Sequence, residues 1–221
     1  MQRKIITTAD GSKTIYLPEW NEHYHSKHGA IQEANHVFIE KGLFHVSQMS
    51  KRISILEMGF GTGLNALITF LEAKKLGLQI DYTGVEAYPV GKEEMNSLNY
   101  AEHFNDRGIK EVFKMLHDIP WQERNEITNN FSLTKRKQFF FEITDEDQFD
   151  LIYFDAFGPR VQPELWTKEI FKKMFLALKH NGVLVTYSAK GSVRRNMLEV
   201  GFAVERLPGP PGKREMLRAT A

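Results

Sequence analysis

Two kinds of hydrophobic pattern divide the chain. Near the N-terminus, Lys4–Thr8 and Lys13–Leu17 alternate apolar and polar residues on either side of Asp10-Gly11-Ser12. Glycine supplies the positive φ of a tight turn, so this stretch predicts a β-hairpin. A polar, histidine-rich segment, Asn21–His28, comes next. Ile31, Ala34, Val37 and Phe38 then recur at helical spacing between about Ala30 and Glu40. From Arg52 onward, apolar blocks alternate with amphipathic stretches. Ile53–Met58, Gln79–Val85, Phe149–Phe154 and Gly182–Tyr187 read as strands, and helices are expected over Leu64–Leu76, Glu93–His103, Lys168–Lys179 and Val193–Val200. Lys110–Leu116 and Lys137–Ile143 read as further strands, with Gln122–Lys135 between them as a polar surface loop. Phe202–Leu207 and Glu215–Thr220 close the chain around the Gly/Pro-rich turn at 208–212.

Phe149–Phe154 is apolar almost throughout, as a strand buried on both faces must be. Strands joined through helices imply right-handed crossovers and a mostly parallel sheet, and the last turn implies an antiparallel pair at one end. The expected fold is α/β: an open, doubly wound, mostly parallel sheet over residues 51–221, with a small N-terminal β/α appendage over residues 1–50. Ligands of such sheets sit outside the carboxyl ends of the strands.

Composition narrows the picture. A length of 221 residues suits one domain with an appendage, and 42% hydrophobic with 26% charged residues is ordinary for a globular chain. The absence of cysteine excludes disulfides, thiolate metal sites and a cysteine nucleophile. No apolar run approaches the roughly 20 residues of a membrane helix, and the first residues lack the apolar core of a signal peptide, so a cytoplasmic protein is expected.

The chemistry concentrates at strand ends. Glu57-Met-Gly-Phe-Gly-Thr-Gly63 follows a strand and opens a helix. A dinucleotide fingerprint would want its third glycine where Leu64 stands, and no Lys-Ser/Thr pair is present to clasp phosphate. The spacing fits better the loop that holds the nucleoside and methionine parts of S-adenosylmethionine, a cofactor without phosphate. Glu57 would face its ammonium, and Gly59, Phe60, Gly61, Gly63, Leu64 and Asn65 would line it. Glu86 ends the second strand 23 residues after Gly63, where a carboxylate accepts from vicinal ribose hydroxyls. Asp155 leaves the buried strand at the same edge, followed by the stiff aromatic run Phe157, Pro159, Pro163 and Trp166. It is the candidate catalytic group, and Phe157 and Tyr187 offer stacking surfaces for a base.

His23, His25, His28, His36 and His45 crowd the N-terminal region, but at no metal-helix spacing; the expectation is a polar segment folded over the site and no metal. The near-neutral net charge of +1 conceals an asymmetry. Residues 186–221 hold seven cations against three acids, leaving +4 there and −3 on the rest. A basic end on a neutral protein is a footprint for phosphate contact, with Lys190, Arg194, Arg195, Lys213 and Arg214 as candidates.

Five segments in order resemble one family. They are Tyr24–Glu33 with His36-Val-Phe38, Leu56–Asn65, Asp155–Pro159 with Pro163–Trp166, Thr186–Gly191 with Val193-Arg-Arg195, and Gly212–Leu217. Together they resemble the methyltransferase domain of MnmC, which modifies the tRNA wobble uridine. The resemblance implies a class I, Rossmann-like methyltransferase fold. It also implies methyl transfer from S-adenosylmethionine to the exocyclic amine of 5-aminomethyl-(2-thio)uridine, with Asp155 as the catalytic aspartate and Glu86 as the ribose acid. The family's Gly-Asp adenine contact has no counterpart in Phe139–Thr144, where Glu142 is the expected substitute. The chain is expected to be the stand-alone form, without the flavin-dependent oxidoreductase domain, acting on an aminomethyl substrate supplied by other enzymes. Alternatives are methyl or aminopropyl transfer to a small amine, and a non-catalytic module that docks RNA or a partner.

Overall fold

The computed structural model describes residues 2–221. Strands β1 (Lys4–Thr7), β2 (Lys13–Leu17) and β3 (Glu22–His23) form a separate antiparallel sheet. Asp10 ties the β1–β2 turn to the first helix. One carboxylate oxygen accepts from Thr8 and Ser12, and the other accepts from the Ile31 and Gln32 amides at that helix's start. The helix runs unbroken through α1 (Ala30–Ala34), a π-helical stretch (Asn35–Leu43) and α2 (Phe44–Val46). Val37, Phe38, Ile39 and Leu43 bury its inner face in the same core as Ile55, Leu151 and Val185.

The main sheet is built from β4 (Arg52–Met58), β5 (Gln79–Val85), β6 (Arg124–Thr128), β7 (Phe131–Arg136), β8 (Phe149–Phe154), β9 (Leu178–Thr186), β10 (Ala203–Pro208) and β11 (Glu215–Thr220). Its order is β10-β11-β9-β8-β4-β5-β7-β6, parallel from β9 to β7 and antiparallel at both margins. Helices α3 (Leu64–Leu76), α4 (Lys92–Asn96), α5 (Ile109–Asp118), α6 (Lys168–Ala177) and α7 (Gly191–Val200) make the connections. From β4 the chain first builds outward through β5 and β7, then returns to the other side of β4 for β8 and β9. The order therefore reverses between β4 and β8, where Met58 pairs with both Val85 and Phe154, so the three carboxyl ends lie level. Open α/β sheets bind ligands at such a reversal.

Four expected elements differ. Lys110–Leu116 lies inside helix α5: Ile109, Phe113 and Leu116 bury one helical face, a period hidden by the adjacent apolar Val112 and Met115. The polar segment Gln122–Lys135 is the β6–β7 hairpin, and β7 is an internal strand beside β5. Its polarity is compensated locally, since Ser132 donates to Asp81 and the buried Lys135 ammonium donates to the His117 carbonyl at 2.6 Å. Lys137–Ile143 is no strand; it contains a 3₁₀ turn at Phe140–Glu142 that buries Phe140 and exposes Phe139 and Phe141. The helix expected over Glu93–His103 stops at Asn96. Asn99 is drawn away to bond the Lys13 amide and the Gly11 carbonyl, and a 3₁₀ turn comes after it at Tyr100–His103.

Candidate active site

A cavity of about 530 Å³ opens at the point of strand reversal. Its floor is the β4–α3 loop. Gly59 sits at φ +97°, and a Cβ there would lie 2.7 Å from the Asp155 carbonyl oxygen, so β4 and β8 come this close only because the residue is glycine. Glu86, at the end of β5, accepts from the Gly61 amide at 3.0 Å and from the Tyr88 amide at 2.9 Å. The carboxylate is thus held over the loop with lone pairs to spare.

Asn65, on the first turn of α3, joins the other two acids. Its side-chain amide donates to Glu57 Oε1 at 2.8 Å and to Asp155 Oδ2 at 2.9 Å. Glu57 is 1% exposed. Glu57 Oε2 and Asn65 Oδ1 are buried without partners of good geometry, and the buried Tyr82 hydroxyl beside Glu57 is likewise unpaired. Burial pushes the Glu57 carboxyl well above the usual carboxylate range, opposed by the Asn65 bond and reinforced by the charge of Asp155. Burial likewise raises Asp155, to about 7, with the Glu33 charge adding to it and Asn65 and Lys213 opposing. Two carboxylates this costly to ionise make the pocket seek a cation with hydrogen-bond donors.

The roof comes from the N-terminal segment. Tyr24 lies against Gly61 and meets Phe157 edge to face at 5.1 Å, and Trp20 meets the same ring at 5.6 Å. Arg3 secures this cover to the β5–α4 loop by donating to the Tyr88 and Pro89 carbonyls and to Glu94. His25 lines the cavity but is held at about 4 by burial, so it is neutral and bonds Thr14 at 3.1 Å. Among the described residues, no three His, Asp or Glu side chains converge as a metal-ligand set. A shallower groove of about 390 Å³ adjoins the cavity, lined by Tyr187, Ser188, Ala189, Lys213, Arg214 and Glu215.

Residues 111–221 match the profile of the S-adenosyl-L-methionine-dependent methyltransferases. The chain belongs to this family. It is 28% identical over 228 residues to the tRNA 5-methylaminomethyl-2-thiouridine biosynthesis bifunctional protein MnmC of Hydrogenovibrio crunogenus, covering 96% of this chain and 33% of that protein. The chain thus spans about a third of the length of the curated relatives it matches. The crystal structure of MnmC2 from Aquifex aeolicus aligns over 99% of this chain and 70% of its own at 26% identity, with a TM-score of 0.80. Spermidine synthase from Thermotoga maritima shares the fold at a TM-score of 0.52 and 14% identity, over 98% of this chain and 72% of its own.

The methyltransferase cofactor suits the residues present. The unpartnered oxygens of Glu57 and Asn65 match an α-ammonium, and Glu86 matches a ribose. Gly59, Phe60, Gly61, Leu64 and Asn65 line the cavity, as the sequence suggests. Phe60 is only 3% exposed, packed on Gly84 and against His117 and Trp121, so its ring mainly braces the loop. Gly63 caps α3 at the loop's far side, outside the cavity lining. Glu142 also lies outside it: its carboxylate accepts from the Phe139 amide within its own 3₁₀ turn, and Phe139 and Phe140 face the cavity instead. Phe157 and Tyr187 line the cavity, Arg214 lines the adjoining groove, and Lys190 and Arg195 are exposed at the start of and within α7, outside the lining of both. Arg194 is only partly exposed, its Nε buried without a partner. Lys213 turns inward onto Glu33. Tyr24, Trp20 and Glu33 are cavity residues that sequence reasoning did not single out, although Tyr24 and Glu33 bound one of the segments shared with the family.

Proposed function

We propose that this methyltransferase methylates the exocyclic amine of 5-aminomethyl-(2-thio)uridine at the wobble position of tRNA, as a cytoplasmic enzyme that uses no metal. The observation that carries the reading is Asp155: a cavity-lining carboxylate with its pKa raised to about 7, anchored by Asn65 against the cofactor loop. The MnmC relatives, named for tRNA 5-methylaminomethyl-2-thiouridine biosynthesis, support the substrate. Arg214 in the adjoining groove, with the exposed cations Lys190 and Arg195 at the start of and within α7, supports a polyanionic one.

S-adenosylmethionine supplies an electrophilic methyl group when bound. Glu57 and Asn65 accept from its ammonium, and Glu86 from its ribose hydroxyls. A primary alkylamine is mainly an ammonium near neutral pH and has no lone pair to offer. Asp155 takes one proton from that nitrogen onto its carboxylate, which leaves the neutral amine oriented toward the methyl donor. A base whose pKa matches the working pH is the effective kind. Tyr24, Trp20 and Phe157 roof the cavity and exclude water, and a flipped uridine stacks between such rings.

Mass spectrometry of nucleosides from tRNA bearing 5-aminomethyluridine, incubated with the protein and S-adenosylmethionine, tests this. The expected result is a gain of one methylene unit on that nucleoside alone. A second reading, transfer to a free small amine, is favoured by the fold shared with spermidine synthase and by the acidic cavity. Modification of putrescine or spermidine, with tRNA unchanged, would replace the first reading by the second.

A further inference from the structure

Lys213 stands in the β10–β11 turn, half-buried, with its ammonium turned toward the cavity wall. Its ammonium donates to Glu33 and lies 3.8 Å from the centre of the Tyr187 ring. Both partners are built into the cavity wall. Glu33 is 8% exposed, and its other oxygen accepts from the Ser26 amide at 3.3 Å. The Tyr187 hydroxyl donates to the Ala156 carbonyl at 2.8 Å, which fixes the ring beside Asp155. The turn itself is pinned, because the His28 ring packs on Gly212 with no room for a Cβ.

A buried carboxylate and an aromatic face on one ammonium, with Asp155 lining the same cavity, make a seat for an alkylammonium. In the free protein that seat already holds one, supplied by the chain. A phosphate drawing Lys213 away would leave Glu33 buried and uncompensated, which is strongly unfavourable. An incoming ammonium exchanges one cation for another and leaves Glu33 paired throughout. Lys213 also lines the adjoining groove with Arg214, so its side chain has open space to enter once displaced.

We propose that Glu33, Tyr187 and Asp155 form a subsite for a primary alkylammonium, and that Lys213 is its internal occupant, displaced when the acceptor amine enters. The identity of that acceptor rests on the amine-methylation reading above; the existence of the seat does not. Lys213 is accordingly a specificity device, ensuring that only a group able to replace an ammonium gains access to Asp155.

Calorimetric or NMR titration with n-propylammonium, and with n-propanol as its neutral counterpart, tests the seat directly. Lys213→Ala should strengthen n-propylammonium binding by about tenfold or more over the wild-type protein, with n-propanol unchanged. Glu33→Gln added to Lys213→Ala should abolish that gain. Lys213→Met serves as a second opened variant, and S-adenosylmethionine affinity measured on the same samples reports folding of the cofactor half. The proposal is overturned if neither Lys213 variant gains ammonium affinity while S-adenosylmethionine still binds. It is overturned too if the gain survives Glu33→Gln, or if the Lys213 variants lose cofactor binding instead. None of these readouts uses tRNA, so unmodified tRNA in the nucleoside assay would reject the wobble-uridine reading and leave the seat standing.

Discussion

The cofactor half of the cavity is made from three strand ends that are neighbours in the sheet, whereas the acceptor half is assembled from Glu33, Tyr187 and Lys213, which meet only in the folded chain. The first half is prearranged. Glu86 is held by two backbone amides, and one Asn65 amide spans Glu57 and Asp155. The second half is held closed by an ion pair within the protein. A rigid cradle for a constant cofactor and an exchangeable contact for the acceptor are different solutions to the same burial cost. Asp155 belongs to both, since Asn65 orients it from one side and the charges of Glu33 and Lys213 act on it from the other.

The largest effect is therefore expected where the halves meet. Asp155→Ala should lower turnover by about 10²–10⁴-fold, the usual contribution of a positioned base. S-adenosylmethionine affinity by calorimetry should stay close to wild type, because Glu57, Asn65 and Glu86 remain. Turnover near the wild-type value would remove Asp155 from the chemistry. Gly59→Ala should strike the cofactor half first, with the Asp155 backbone displaced as well. Its Cβ would meet a backbone oxygen at 2.7 Å in a left-handed conformation, and neither side can yield without parting β4 from β8. Cofactor affinity should fall by about 10–100-fold. n-Propylammonium binding to Gly59→Ala/Lys213→Ala should fall less than cofactor affinity, because Glu33 and Tyr187 are untouched; an equal fall would mean that Asp155, not Glu33, holds the ammonium.

The raised pKa of Asp155 makes a third test, through stability. The unfolded chain releases this proton near the ordinary value of 3.8, and the folded one near 7. Between those values the folded state binds the extra proton, so this group's contribution falls as pH rises through the window. Asp155→Asn removes the penalty. The variant should be more stable than wild type at pH 8, by on the order of 4 kcal/mol, and the difference should vanish below about pH 4. Denaturant unfolding at the two pH values measures it. A constant difference would mean that the residue's environment does not disfavour its charge.

The same division explains what was legible in the sequence. Glu57, Gly59, Gly61, Asn65, Glu86 and Asp155 belong to contiguous strand–turn units, and a parallel sheet brings such turns to one edge whatever the details of packing. Glu33 and Tyr24 lie in a segment whose local pattern predicted only a polar stretch and a helix. Their place over the cavity depends on Asp10 capping α1 and on Arg3 clasping the β5–α4 loop, long-range contacts with no local periodicity. Lys213 stands out by its charge, and charge alone does not tell an outward cation from one turned in onto the buried Glu33. The β6–β7 hairpin is hidden for a related reason: Ser132 and Lys135 look solvent-facing in sequence, but both are buried, each with a hydrogen-bond partner. Glu142 shows the converse case, a carboxylate at a plausible chain position whose bond closes its own turn.

The smallest expected effect separates the rim from the seat. Arg195 is exposed on α7, so its proposed phosphate contact would be a screened one that positions RNA without touching the amine. Arg195→Ala should weaken tRNA binding modestly and reduce the slope of log affinity against log salt by about 0.7–0.9, the release of one counterion. Glu33→Gln should leave that slope unchanged, because the residue is buried under the roof and meets no phosphate in this scheme. Filter binding or fluorescence anisotropy across a salt series resolves the difference. An unaltered slope in Arg195→Ala would take α7 out of the RNA-binding surface. A slope changed by Glu33→Gln would mean that Lys213, released from its partner, carries phosphate contacts of its own, and that the acceptor half and the rim act as one electrostatic unit.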